Sequence, residues 1–350
     1  MKLVAFTAGR PRGNCEIFTK EALRAVKDKG IDVELIRLTD CDMHGCRACV
    51  PGFCPASIDP KKCPYGKDDA IWMIDMFLDS DGYLIAAPTY SLTPNSMLFD
   101  FRDRVFGPKM DVAAFFKGER PEPEFATGRF KARPGALIAV GGALTENWTS
   151  LSIASMFSTT FSAQTEVVDW LNVYGVADPN AAAIEDEWLA KAYKLGENLA
   201  DAMLTGDHRW RGEKEGMCPQ CHQDLIQVVP GTNQVLCPVC GIYGNLSVVD
   251  GKITIEWPDD IEHRRDNRMN IDGKMVHLME VRECMAKYKP RMEEAKEKAQ
   301  KYHEWTDIVL TPPSKQRKAE ERAAKAAELA AEKKAEEERL KFAEEGHQKL

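Results

Sequence analysis

A strand buried on both faces that passes through a short polar loop into a helix is the feature that most narrows the folds open to this chain. Leu3-Val4-Ala5-Phe6 is an unbroken apolar run, and Thr7 to Glu16, TAGRPRGNCE, carries it into a helical pattern marked by Ile17, Ala22, Leu23, Ala25 and Val26. Unbroken apolar runs suit strands covered by helices on both sides, the condition of a parallel sheet. In such a loop, backbone N–H groups and the positive end of the helix dipole converge on one point, a ready seat for phosphate. Gly9 and Gly13 leave room there, and Arg10 and Arg12 add charge. An ordinary βα turn accounts for the same residues, because short glycine loops are weak motifs.

The same handover occurs twice more. Gly82 to Ala87 is a second buried run that leads into Pro88-Thr89-Tyr90-Ser91-Leu92-Thr93-Pro94-Asn95-Ser96, and Ala136 to Val140 is a third, ending in Gly141-Gly142-Ala143-Leu144-Thr145-Glu146. In an open parallel sheet the loops at the carboxyl ends of the strands converge on one crevice, so three polar loops point to one ligand. With Ile31 to Leu38 and Thr165 to Val173 as further strands, the alternation predicts an α/β fold, a five-stranded doubly wound parallel sheet.

These loops resemble those of the flavodoxin-like NAD(P)H-dependent FMN reductases, and more closely their iron–sulfur flavoprotein branch, over roughly the first two hundred residues. The resemblance implies FMN as cofactor and NAD(P)H as co-substrate. Gly9, Pro11, Arg12, Gly13 and Asn14 match the family's phosphate loop, with Arg10 and Cys15 standing where the family usually has hydroxyl residues. Pro88, Thr89, Tyr90, Ser91, Asn95 and Ser96 fall on the loop beside the isoalloxazine, and Gly141, Gly142 and Thr145 on the loop at its other edge. The resemblance further implies a homodimer or higher homo-oligomer, since such reductases complete their flavin sites at subunit interfaces.

A formal net charge of −8 with no long basic stretch argues against a general nucleic-acid binder. MKLVAFTAGR enters a strand at once, and no stretch reaches about 18 apolar residues, so no membrane association is expected and the cytoplasm is the expected compartment. Eleven cysteines in such a chain are metal ligands or redox groups more often than disulfides. Cys15 and Cys284 stand alone.

Cys218-Pro219-Gln220-Cys221 and Cys237-Pro238-Val239-Cys240 are two knuckles fifteen residues apart, with a Pro230-Gly231 turn between them. This is a strong zinc-ribbon spacing, for which Zn2+ is the expected metal and a rubredoxin-like iron the rival. Cys41, Cys46, Cys49, Cys54 and Cys63 share an aperiodic segment just before Asp68-Asp69. The iron–sulfur flavoproteins carry a compact cysteine set in that place. Cys46, Cys49, Cys54 and Cys63 are therefore the expected ligands of a [4Fe–4S] cluster, with Cys41 as an alternative, although the spacing after Cys49 is longer than the family's. A second zinc site or free thiols are the other readings.

The expected organisation is a flavodoxin-like domain over 1–206, a linker over 207–216, the ribbon over 217–258, and a charged helical extension over 259–350. Residues 105–133 read as an excursion over the flavin mouth, and the cluster HRRDNRMN at 263–270 as a solvated turn. Pro313 to Leu350 has too few large apolar residues for a heptad seam and reads as a solvated helix. No Ser-His-Asp or paired-carboxylate arrangement is present, so no catalytic side chain is named. The function these features imply is an FMN-dependent NAD(P)H oxidoreductase or electron-transfer flavoprotein passing electrons to an unidentified small-molecule or protein acceptor. The alternative is a zinc-ribbon interaction or regulatory protein on a scaffold without turnover.

Overall fold

The computed structural model describes residues 1–49, 54–57, 59–106, 115, 117–122, 124–310 and 312–347. The chain divides into two compact units, Met1–Val281 and Arg282–Leu350.

In the first unit, strands β1 (Lys2–Thr7), β2 (Asp32–Arg37), β3 (Gly82–Tyr90), β5 (Arg133–Val140) and β6 (Thr165–Val173) form a parallel sheet in the order β2-β1-β3-β5-β6. The two-residue β4 (Thr93–Pro94) folds back antiparallel on the end of β3. β1 and β5 are almost wholly buried, as their unbroken apolar composition requires. One face of the sheet packs on α1 (Asn14–Asp28) and α5 (Asp186–Thr205) through Phe18, Leu23, Leu195 and Leu199. The other packs on α2 (Ala70–Leu78), α3 (Ser96–Phe101) and α4 (Ser152–Thr160) through Met73, Phe77, Phe101 and Met156. α1 and α5 approach so closely that a Cβ on Gly196 would lie 2.1 Å from the Ala22 carbonyl oxygen. α1 ends where Lys29 and Gly30, the latter at φ +82, close on the last carbonyls.

The end of α2 is satisfied by a buried cation. Arg133, 1% exposed, donates to the carbonyls of Leu78, Ser80, Arg129 and Lys131 and lies 4.8 Å over the Phe77 ring. Burial lowers its pKa to about 10, which still leaves it charged at neutral pH.

The edge strand β6 is covered by the segment expected to be a linker. Arg211 N donates to Val168 O, Asn198 Nδ2 donates to Arg211 O, and Trp210 stacks on His222 at 4.1 Å. An edge strand otherwise offers unpaired N–H and C=O groups, so this cover closes the sheet. The ribbon follows as an antiparallel sheet in the order β10-β9-β8-β7, from β7 (Gln227–Val228), β8 (Gln234–Leu236), β9 (Tyr243–Val249) and β10 (Lys252–Glu256). Asp250 and Gly251, both at positive φ, form the turn between β9 and β10. The ribbon lies inside the first unit. Trp170 of β6 donates to Cys221 O, and Trp257 donates to Met217 O.

The 263–270 turn is not solvated throughout: Asn267 is fully buried and donates to Gln220 and to Ile261 O, while Arg268 N donates to Cys240 O. Its basic composition concealed one amide that the ribbon needs. The excursion over 105–133 lies in part outside the described residues; within it, Phe115 stacks on Phe130 at 5.3 Å. Among the described residues no helix is long and apolar enough to cross a membrane.

The second unit takes over within α6 (Ile271–Tyr288) and continues through α7 (Met292–Glu304) and α8 (Pro313–His347).

Candidate active site and metal centre

The three polar loops stand together at the carboxyl end of the sheet, because β1, β3 and β5 are neighbours and parallel. The first loop turns on two glycines. A Cβ on Gly9 would lie 2.8 Å from Cys15 Cβ, and one on Gly13 would lie 3.0 Å from Arg10 O. A side chain at either place would fill the cradle. Gly13 is the residue before α1, so the first N–H groups of this fifteen-residue helix open onto the loop. The side chains of Arg10, Pro11 and Arg12 are exposed. Arg12 takes the left-handed conformation, φ +59, and its N–H donates to Glu16 Oε2 at 2.8 Å.

Glu16 was not apparent from the sequence as part of this site. It is 1% exposed, receives two hydrogen bonds of 2.8 Å from Arg37 at the end of β2, and pairs with Lys20 at 2.6 Å. The Arg37 contacts, outweighing burial, hold its carboxyl down at about 2. A fixed, neutralised carboxylate thus sets the strained Arg12 backbone. The only local signal was an acidic residue in a first helical turn.

Two residues expected at the cofactor also join the loops. Asn14 Nδ2 donates to the carbonyls of Val176 and Asp178, and its Oδ1 accepts from Ala182 N. Asn95 Nδ2 donates to Ala8 O at 2.8 Å, while its Oδ1 caps α3 at Leu98 N. The Cys15 thiol is buried in the core, and burial raises its pKa to about 12, so it is an inert packing group.

In the second loop, Thr89 pairs with Pro94 and Tyr90 with Thr93 around a two-residue turn in which Ser91 and Leu92 both have positive φ, +50 and +74. Neither is glycine, so the turn is strained. It is braced from α4: Ser152 Oγ donates to Leu92 O, and the Thr89 hydroxyl lies 2.8 Å from Ser152 Oγ. Pro88 is half-buried and Ser96 exposed. In the third loop a Cβ on Gly141 would lie 2.3 Å from Thr149 Cγ2 and one on Gly142 3.1 Å from Ala177 Cβ, so both glycines permit close packing. The Thr145 hydroxyl is exposed and donates to Asn147 Oδ1. Three large side chains on these two loops face solvent: Tyr90 at 63%, Leu144 at 84% and Trp148 at 58% exposure. Leu144 and Trp148 escaped the sequence reading, which looked for polar contacts.

The cradle, the open helix end and the apolar rim suit a ligand with one phosphate and a flat ring system. A cleft of about 1160 Å3 lies elsewhere, at the amino end of β6 between Thr165, Arg209, Trp210, His222 and Asp272. Eight residue steps of strand, roughly 26 Å, separate the two ends. The carboxyl edge is where ligands of open α/β sheets bind. A groove of about 220 Å3 beside the third loop is lined by Glu146, Asn172, Tyr174 and Trp188.

The ribbon cysteines form the one group among the described residues with the geometry of a metal site. All four are buried, their Sγ atoms lie within 4.8 Å of one another, and Cys218–Cys240 and Cys221–Cys237 are 3.7 and 3.5 Å apart. Tetrahedral bonds of about 2.3 Å give edges of about 3.8 Å, so the four sulfurs fit a single tetrahedral ion. The Cys218 contact holds the Cys237 thiol far below its ordinary value, while burial drives Cys240 up.

The five thiols from Cys41 to Cys63 form no such group among the described residues. Cys46 and Cys49 are exposed, and Cys41, Cys54 and Cys63 are half-buried. Residues 50–53 and 58 of this segment lie outside the described residues. Its later end is fixed by charge. Arg104 and Asp68, 2% and 4% exposed, form a two-pronged ion pair at 2.6 and 2.9 Å, and Arg104 also donates to His44 O and Tyr65 O. Burial pushes the Asp68 carboxyl up, and the Arg104 contacts together with the backbone N–H groups of His44 and Ala70 hold it below its usual value. Asp69 Oδ2 accepts from Asp42 N. The Asp-Asp pair thus fastens the cysteine segment.

Residues 1–165 match the family of NADPH-dependent FMN reductases. The chain is a flavin oxidoreductase. It is 27% identical over 291 residues to flavone synthase cfoJ of Aspergillus candidus, spanning 80% of this chain and 88% of that protein. An iron-sulfur flavoprotein of Methanocaldococcus jannaschii is 31% identical over 91 residues, 26% of this chain and 44% of the other. The solved structure of a flavone reductase superposes with a TM-score of 0.71 at 23% identity, over 89% of this chain and all of that one, and shares its fold.

Proposed function

We propose that the chain binds FMN at the carboxyl edge of β1, β3 and β5 and moves reducing equivalents between a nicotinamide donor and a flat, carbonyl-conjugated substrate of the flavone class. The observation that carries the substrate class is the likeness to flavone synthase cfoJ, which extends over 291 residues and so well beyond the 165 that the FMN reductase pattern spans. When bound, FMN supplies the hydride chemistry. The chain's own part is placement. The Gly9–Gly13 cradle and the first turn of α1 hold the phosphate, with Arg12 adding a charged contact. The Ser91-Leu92 turn, braced by Ser152, sets one edge of the ring, and the loop from Gly141 to Thr145 sets the other. Tyr90, Leu144 and Trp148 form an apolar rim that covers a planar substrate and excludes water.

The test is anaerobic. Purified protein is bleached with NADPH, and flavone is then added. Reoxidation of the flavin band with matching consumption of flavone supports the reading; a reduced flavin that flavone leaves untouched overturns the substrate class. Heat-released flavin identified as FMN checks the cofactor, and Arg12→Ala is expected to weaken its retention by about 1.5–3 kcal/mol.

For the ribbon, we propose one Zn2+ on Cys218, Cys221, Cys237 and Cys240 as a structural ion, since four protein ligands leave no open position for a substrate. We further propose, at a separate site, an iron–sulfur cluster on Cys46, Cys49, Cys54 and Cys63, with Cys41 as an alternative ligand, that exchanges electrons with the flavin; the 91-residue likeness to the iron-sulfur flavoprotein supports it. Iron and sulfide analysis of anaerobically purified protein tests the cluster: four irons per chain beside the zinc support it, and an iron-free, zinc-containing flavoprotein rejects it.

A further inference from the structure

The groove beside the third loop lies between the last residues of the edge strand β6 and the first turns of α5, and the flavin cradle makes no use of it. Its walls are aromatic. Trp188, Lys191 and Leu195 come to it from one face of α5, at spacings of three and four residues, and Trp170 and Tyr174 come from the strand side. Tyr174 and Trp188 meet nearly edge to face, with ring centres 5.3 Å apart. One polar atom here lacks what it needs. Asn172 Nδ2 donates to Thr149 Oγ1 at 2.9 Å and to Glu146 Oε1 at 3.5 Å, whereas its Oδ1 is buried and accepts no hydrogen bond among the described residues. A buried acceptor left open is costly, so a ligand that brings a donor to it is favoured.

Charge and size narrow the ligand further. Lys191 Nζ lies 4.7 Å from the centre of the Trp188 ring, Lys214 Nζ lies 5.5 Å from that of Trp170, and Lys194 stands at the same groove. Their contacts with Glu187, Asp224 and Glu197 are exposed ion pairs, which contribute little and exchange easily. Glu146, Asp169 and Glu213 also line the groove, and Asp169 is engaged by Asn198 Nδ2 at 2.8 Å. Three carboxylates against three ammonium groups leave no surplus to hold a bare phosphate, so a ring must carry part of the recognition. At about 220 Å3 the groove is smaller than the roughly 300–1000 Å3 that encloses a whole drug-sized ligand, so it takes one end of a longer molecule. An aromatic ring with an amine donor, joined to an anionic group, is the chemistry of a nucleotide.

We propose that this groove binds an adenine nucleotide, with the base against Trp188 and Tyr174, its exocyclic amine donating to Asn172 Oδ1, and its phosphates at Lys191 and Lys214. Two sources share that chemistry: the adenosine end of the nicotinamide donor, and a free adenine nucleotide. The site stands on the groove alone, while its use by the donor rests on the flavin reading.

The experiment is equilibrium dialysis of the full-length protein, with whatever flavin it carries, against ADP and separately against UDP, whose base lacks the amine. One ADP per chain is expected, bound about tenfold or more tighter than UDP. Lys191→Glu and Trp188→Leu should each weaken ADP by about tenfold, and far-UV circular dichroism checks that both keep their fold. Bleaching of the flavin by 1-benzyl-1,4-dihydronicotinamide, a donor without adenosine, should be the same in both variants as in the wild type. If those variants also raise the half-saturating NADPH concentration about tenfold at an unchanged limiting rate, the groove holds the donor's adenosine end; if NADPH is unaffected while ADP is weakened, it holds a free nucleotide, and either result supports the site. No uptake of ADP, equal uptake of UDP, or uptake that both variants leave intact overturns it. A protein that takes up ADP as expected yet carries no flavin, or a flavin that neither donor bleaches, overturns the flavin reading and supports the groove.

Discussion

The two cysteine-rich regions are held in opposite ways. In the ribbon, the thiols themselves are the structure: four buried sulfurs close two knuckles, and their neighbours supply a frame of strands and a few hydrogen bonds. In the segment from Cys41 to Cys63 the thiols lie apart and ion pairs hold the ends, Glu16 with Arg37 before it and Asp68 with Arg104 after it. The ribbon's two C-x2-C knuckles are seated on the strands of one sheet, whereas Cys46-Arg47-Ala48-Cys49 has the same spacing on backbone that is neither strand nor helix.

This contrast is open to direct attack. The largest expected effect is on the ribbon: Cys237→Ser should abolish stoichiometric zinc and unravel the knuckles, because metal binding and folding of such modules are one equilibrium. Metal analysis and proteolysis near residue 230 would register it, and a resistant, metal-free ribbon would show that packing on β6 suffices.

Next is the charge-held segment. Asp68→Ala leaves Arg104 buried without its partner and should cost about 3–5 kcal/mol in denaturant melts. The same variant should leave zinc content unchanged. A loss below about 1 kcal/mol would mean that something other than the pair, a metal included, fastens the segment.

Acid should act on this region through Glu16. Its folded pKa, near 2, lies below its usual value of 4.5, so the stabilisation is fully present above pH 4.5 and is lost as pH falls towards 2. The shift corresponds to on the order of 3 kcal/mol. Glu16→Gln should flatten that part of the stability–pH curve and loosen flavin retention at neutral pH, since Glu16 fixes the Arg12 backbone. An unaltered acid limb would remove Glu16 from this role.

The smallest effect is on reactivity rather than stability. In the native protein Cys46 and Cys49 should be alkylated readily, Cys41 slowly because burial and nearby acids raise its pKa to about 11, and Cys15 and the ribbon thiols hardly at all. Mass spectrometry of the labelled peptides gives the order. Protection of Cys46 and Cys49 in anaerobic protein would point to a ligand on them.

What the sequence determined by itself was whatever short-range pattern encodes. The apolar runs at Leu3–Phe6 and Ala136–Val140 required strands covered on both faces, the glycines at 9, 13, 141 and 142 marked the close turns, and the two knuckles prescribed a tetrahedral set of thiols. What only the tertiary structure decided depends on residues far apart in the chain. Asn14 and Asn95 look like ligand contacts in their own loops, yet their amides join one loop to another across 162 and 87 residues. Glu16 and Arg133 carry no local signal of burial; each became interior because a distant element brought the partners that a buried charge demands, Arg37 for the one and the end of α2 for the other. The earlier thiols show the converse: near one another in the chain, Cys46 and Cys49 stay exposed, because the backbone that carries them is neither strand nor helix and packs on no distant element among the described residues that would cover them.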